Sequence, residues 1–153
     1  MTNLYFEYIF ITNLLFKEAQ IMKVAIASDD GQSISPHFGR TEGFMIFDIE
    51  GKNVKGKEYR KNTFTGHMRG LEGEGHTQDK HQTIINALSD CKVVISNGMG
   101  RRLYDDLKMS GIEPIITTET KVQKALELYI NSELTDNPEM GCDHHHKEQE
   151  CDH

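Results

Sequence analysis

The chain has 153 residues, 37% of them hydrophobic, which suffices for one domain with some tail left over. A net charge of -7 at pH 7 disfavours nucleic acid as a partner, because phosphate binding needs a basic face. The 3 cysteines are too few and too unevenly placed for a disulfide framework, which fits a reducing cytoplasm or a metal role.

Leu4 to Phe16 is apolar and aromatic, but it carries Glu7, has no basic start, and falls short of the ~20 apolar residues of a spanning helix. We expect residues 1–21 to be an extension ahead of the domain, with Met22 as the functional first residue. An extra strand or helix covering an apolar patch is the alternative, and no membrane role is expected. Lys23 to Ser28 predicts a buried strand that turns at Asp29-Asp30-Gly31. Gly43 to Glu50 alternates, turns at Gly51-Lys52-Asn53, and returns as a polar edge strand over Val54 to Arg60. Asn62 to Lys80 is rich in Gly, His and charge and reads as a long loop.

Ile84, Ile85 and Leu88 lie at helical spacing, predicting a helix over Gln78 to Ser89. Lys92 to Ser96 is a second buried strand, and Asn97-Gly98-Met99-Gly100 turns it into a helix through Leu103, Leu107 and Met109 that stops at Gly111. Ile112 to Thr117 is a third buried strand, put at a sheet edge by Pro114. The last helix is predicted from Thr118, with Glu119 in its first turn and Val122, Ala125, Leu126, Tyr129 and Ile130 on its apolar face. A hairpin followed by βα units implies an α/β domain, a mixed sheet covered by helices, over residues 22–134. From Asn131 onward the chain is polar and predicted unfolded, with residues 135–153 a flexible Cys/His-rich tail.

Two loops carry candidate chemistry. Ser35-Pro36-His37-Phe38-Gly39-Arg40 follows the first strand, at the strand end where open α/β sheets bind ligands. Pro36 and Gly39 shape the turn, Phe38 anchors it, and His37 is left on the rim beside Arg40. A neutral imidazole is a good metal ligand and a guanidinium offsets an anionic centre. His37 reads equally as a plain turn residue. The second loop, with Gly98, Gly100 and Arg101, opens a helix as a glycine-rich anion turn does, yet lacks the lysine of a P-loop and the third glycine of a dinucleotide fingerprint. Both loops end parallel strands and should share one sheet edge.

Taken together, the strand ending in Asp-Asp-Gly, the Ser35-Pro36-His37-Phe38-Gly39-Arg40 loop followed by Phe44, and Asn97-Gly98-Met99-Gly100-Arg101-Arg102 resemble the dinitrogenase iron-molybdenum cofactor biosynthesis family from Met22 to about Leu134. The resemblance implies a three-layer, ribonuclease H-like fold with a five-stranded sheet of order 3-2-1-4-5. It implies a non-catalytic protein that binds an iron-sulfur or heterometal-sulfur cluster, including the iron-molybdenum type, and exchanges it with donor and acceptor proteins. The family's cluster-holding histidine maps onto His37. Thr41 and Leu103 depart from the residues common in the family, and neither is a ligand position. A cytoplasmic monomer or weak homo-oligomer is the expected form.

Two further histidine groups are candidate donors. His67, His76 and His81 lie in the mid-chain loop, which could fold over a bound centre or remain a solvated loop. Cys142, His144, His145, His146, Cys151 and His153 repeat a Cys-Asp-His element suited to borderline divalent metals. Cys91 begins a strand and is expected to pack. Three other functions remain in view. A metal-buffering protein would rely on the tail, and an anion- or nucleotide-binding regulator would use the Gly98/Gly100 turn. A two-metal nuclease would use Asp29 and Asp30, although the strand at Lys92 to Ser96 adds no carboxylate.

Overall fold

The computed structural model describes residues 20–65 and 77–141. Its elements are β1 (Met22–Ala27), β2 (Gly43–Glu50), β3 (Asn53–Lys61), α1 (Thr77–Ala87), β4 (Cys91–Ser96), α2 (Arg101–Met109), β5 (Glu113–Ile116) and α3 (Val122–Ile130). The strands form one sheet of order β3-β2-β1-β4-β5, as expected. β2 and β3 pair antiparallel and β1 pairs antiparallel with β2, whereas β4 runs parallel to both β1 and β5.

β1 is central because its sequence is apolar on both faces. Val24 lies opposite Phe47 of β2 and beside Val93 of β4, and successive side chains enter two different cores. Ala25, Ala27, Phe44, Ile46 and Val94 pack under Ile84 of α1 and Leu103 and Leu107 of α2. Val24, Ile26, Phe47, Val93, Ile95 and Ile115 pack under Val122, Ala125 and Leu126 of α3. The result is a three-layer α/β domain, two helices on one face of the sheet and one on the other. Each fully buried aliphatic or aromatic side chain contributes about 1.5–3 kcal/mol. β3 is the polar edge that its composition predicts. Arg60 pins it to the α1–β4 corner by bonding both carboxylate oxygens of Asp90, at 2.8 and 2.9 Å, and the Ala87 carbonyl at 3.1 Å.

Four local expectations change. The last helix begins at Val122 and not at Thr118, because residues 117–121 stay extended to bond the loop after β1. Glu119 therefore precedes the helix, where its carbonyl accepts from Asn97. Met109 lies on the solvent side of α2 at 86% exposure, and Tyr104 takes the buried place instead. Beyond Asn131 the backbone remains ordered by hydrogen bonds. Asn137 N–H donates to the Ile116 carbonyl at 2.9 Å, and Pro138–Met140 forms a 3-10 turn. Those bonds cover the free edge of β5, the strand that Pro114 marks as terminal.

Candidate functional site

The loop after β1 is built before it reaches His37. Ser28 Oγ donates to the Ser33 carbonyl at 2.6 Å, while Gly31 N–H donates to Ser28 Oγ at 2.9 Å. Asp30 accepts from the amides of Gln32 and Ser33 at 2.8 and 2.7 Å, bonds that hold its carboxyl below the usual carboxylate range. Asp29 accepts from Glu42 N–H at 2.8 Å and Thr41 Oγ at 3.1 Å. Each of the two carboxylates thus shapes a loop through its Oδ1 atom. Tyr59, from β3, closes the turn by donating to the Ser28 and Asp29 carbonyls at 3.2 and 3.3 Å.

From Ile34 to Arg40 the loop lies across the ends of β1 and β4. Ile34 and Ser35 are buried, Ser35 N–H donates to the Ala27 carbonyl at 2.8 Å, and Ser35 Oγ donates to the His37 carbonyl at 3.3 Å. Phe38 is 1% exposed and meets Phe44 with ring centroids 5.1 Å apart; Phe64 stacks on the far side of Phe44. That aromatic anchor leaves His37 half-buried and Gly39 and Arg40 exposed at the rim. Phe38 therefore has the anchoring role its position predicts.

The Gly98 turn joins the same edge by direct contact. Phe38 N–H donates to the Gly98 carbonyl at 3.0 Å, and a Cβ on Gly98 would lie 2.6 Å from the Pro36 carbonyl oxygen. Only glycine lets the two backbones approach so closely. Asn97 extends the seam to a third loop, its side-chain amide donating to the Thr117 and Glu119 carbonyls at 2.7 Å each. Backbone bonds from Ile34 to Thr120 and from Val122 to Gln32 complete the closure. Three loops from the carboxyl ends of β1, β4 and β5 thus form one laced platform.

Gly100 caps α2 without a side-chain bond, and Arg101 and Arg102 occupy the first turn, where the helix dipole favours negative charge. Arg101 lies 3.5 Å from Asp105 and against the Tyr104 ring on its own helix, so it lines the helix flank. Sequence reasoning missed Asn62, Thr65, Asn97 and Tyr59. Asn62 folds the strand exit by bonding the Thr41 carbonyl at 2.8 Å and Thr65 at 3.0 Å, and Thr65 Oγ donates to the Gly39 carbonyl at 2.8 Å. Asn97 stood beside the glycine turn in the sequence; the other three carried no motif.

His81 is corrected. It sits in α1, where Nδ1 lies 2.5 Å from Asp106 Oδ2 of α2, joining two helices instead of facing the site. Cys91 is buried, and desolvation pushes its thiol up to about 12, so it packs as expected. His67, His76, Cys142, His144, His145, His146, Cys151 and His153 lie outside the described residues. Among the described residues no group of three His, Cys, Asp or Glu side chains is arranged to hold a metal ion. No helix of the described residues is long and apolar enough to cross a membrane.

An uncharacterized protein of Methanocaldococcus jannaschii is 30% identical over 117 residues, which span 76% of this chain and 92% of that relative. Protein NifX of Klebsiella pneumoniae is 26% identical over 112 residues, 71% of this chain and 67% of its own. The apo orange protein from Desulfovibrio gigas shares the fold with a TM-score of 0.57 at 19% identity, covering 78% of this chain and 95% of that one. Residues 20–132 match the family model described as dinitrogenase iron-molybdenum cofactor, and the chain belongs to that family.

Proposed function

We propose that this protein carries a preassembled iron-sulfur or heterometal-sulfur cluster as non-catalytic cargo, held at the three-loop edge by His37. The observation that carries the reading is the donor set itself. The described edge offers one imidazole, His37, in a loop that also carries Arg40 and beside the turn from which Arg101 and Arg102 open a helix. A bare zinc-class ion needs about four donors from its surroundings, which a single imidazole does not meet. An anionic cluster brings its own sulfides and needs few protein ligands, and guanidinium groups offset its charge. An open, shallow grip also suits cargo that must be passed to an acceptor protein.

Family membership supports the same reading, since the relatives include a protein named for iron-molybdenum cofactor biosynthesis. That match spans 60% of this chain and 17% of the NifB relative, so the activity of the larger protein is not carried over. The edge residues in this reading are Ser35, His37, Phe38, Gly39, Arg40, Gly98, Gly100 and Arg101. Ser35, Phe38 and Gly98 shape the grip, and His37 is the ligand. A cytoplasmic carrier that meets donor and acceptor proteins follows from this role.

Anaerobic reconstitution with iron and sulfide tests it, read as sulfide-to-iron charge-transfer absorption with matching iron and sulfide content. Stable loading of the folded protein is expected. Absence of loading, together with a thermal shift on adding millimolar nucleotide, would instead favour an anion-binding regulator.

A further inference from the structure

Three buried polar residues, Thr41, Asn62 and Thr65, sit together at the Gly39 end of the His37 loop, none more than 1% exposed. Asn62 uses its whole bonding capacity there. Its amide donates to the Thr41 carbonyl at 2.8 Å and to Thr65 Oγ at 3.0 Å, while its Oδ1 accepts from the N–H groups of Phe64 and Thr65 at 3.3 and 3.1 Å. Because Thr65 Oγ accepts from Asn62, its single proton is given elsewhere, and it goes to the Gly39 carbonyl at 2.8 Å. The Phe64 ring stacks on Phe44 with centroids 5.5 Å apart, and Asn62 N–H donates to the Glu42 carbonyl at 2.9 Å. These contacts fix the backbone from which Thr65 reaches.

The bond to Gly39 acts on the rim itself. Gly39 is exposed, and a Cβ there would meet nothing within 4 Å, so side-chain packing among the described residues does not hold the chain at this point. In a planar trans peptide the carbonyl and the following N–H point opposite ways. With the Gly39 carbonyl turned toward Thr65, the Arg40 N–H is turned back to the His37 carbonyl, to which it donates at 3.3 Å. Ser35 Oγ donates to the same carbonyl at 3.3 Å. Both of these bonds are long, whereas the Thr65 bond has the length of a full-strength one. Buried polar groups cost stability unless each is bonded, a requirement that an apolar filling does not carry. A fully satisfied polar network fixes one geometry, and the geometry fixed here is that of the peptide two residues from His37.

We propose that Thr65 is a positioning residue for the His37 site. Its hydroxyl, aimed by Asn62, holds the Gly39 carbonyl inward and so sets the pose of the His37 imidazole and the rate at which the rim gives up its cargo. The inference rests on the reading of His37 as the cargo ligand. It adds a control of release that lies outside the ligand loop, on the segment that follows β3.

Thr65→Val keeps the side-chain shape and removes the hydroxyl. Full-length protein is loaded anaerobically with iron and sulfide and then challenged with excess chelator. Thr65→Val should lose its charge-transfer absorption about five- to tenfold faster than the parent, the scale of one lost hydrogen bond. The iron and sulfide taken up at the start should match the parent. In cluster-free protein the imidazole NMR signals of His37, assigned by their absence from His37→Ala, should move in Thr65→Val while those of His81 stay in place. Thr65→Ser restores the hydroxyl and should return both readouts to those of the parent. Ile115→Val, in the core on the α3 face of the sheet, loosens the domain without touching the rim and should alter neither. If Thr65→Val fails to fold, the same comparison is made between Thr65→Ala and Thr65→Ser. A parent-like release rate or unmoved His37 signals in the variant without the hydroxyl would overturn the inference. Equal acceleration in Ile115→Val would overturn it too, since release would then follow global stability. A parent that takes up no cluster sinks the carrier reading alone, because the His37 signals still decide whether Thr65 sets the rim.

Discussion

The amide of Phe38 donates to the carbonyl of Gly98 at 3.0 Å, and this bond fastens the His37 loop to the turn that opens α2. The Phe38 ring is buried below it while Pro36, two residues earlier, touches Gly98 above it. Position of the candidate ligand therefore depends on a contact between two loops far apart in sequence.

Gly98→Ala should break that contact. The added Cβ would meet backbone, the Pro36 carbonyl oxygen at 2.6 Å, and a backbone atom cannot rotate away. We expect a loss of about 1–3 kcal/mol in denaturant unfolding, typical of overpacking, together with reduced cluster loading. Unchanged stability and loading would show that the two loops can separate without cost.

Phe38→Ala removes the aromatic anchor from the Phe44 and Phe64 cluster. A cost of about 3–5 kcal/mol is expected for a buried Phe. Phe38→Leu should recover most of it, since the ring serves as packing. Urea melts of the three proteins measure the difference.

How much of this was legible in the sequence varies by element. The strands were readable because β1 and β4 are apolar on both faces and β2 alternates, and Pro114 marked the edge. The extended segment 117–121 was not, because Thr118-Glu119 looks like a helix start and what holds it open is distant in sequence: the side chain of Asn97 and backbone bonds with the loop after β1. His81 reads as a loop donor until Asp106, on another helix, claims it. At the site, the Ser35 to Arg40 and Gly98 motifs were visible, but their contact and the Gly141 approach to Met99 are tertiary facts that spacing does not encode.

Asp30 supplies a pH dependence. Two backbone N–H bonds, from Ser33 first and then Gln32, lower its folded pKa below the ordinary 3.8. A depressed folded value stabilises above the unfolded pKa, and that contribution is lost as pH falls through the folded pKa. The thermal midpoint should therefore drop as pH falls below about 4. Asp30→Asn should flatten this acid limb, and an identical limb in the variant would contradict the assignment.

Cys91 should be chemically silent in the folded protein, since burial pushes its thiol up to about 12 and a thiol, unlike a thiolate, is a poor nucleophile. Iodoacetamide at neutral pH followed by peptide mass analysis should leave Cys91 unmodified until denaturant is added. Labelling of Cys91 in native protein would mean that β4 opens at its amino end.

The most direct measurement of the central claim is the iron and sulfide content of full-length protein and His37→Ala after identical anaerobic reconstitution. Retained folding with at least tenfold weaker cluster retention in His37→Ala is the predicted result. Equal loading and equal retention in the two proteins would contradict the claim that the three-loop edge holds its cargo through His37.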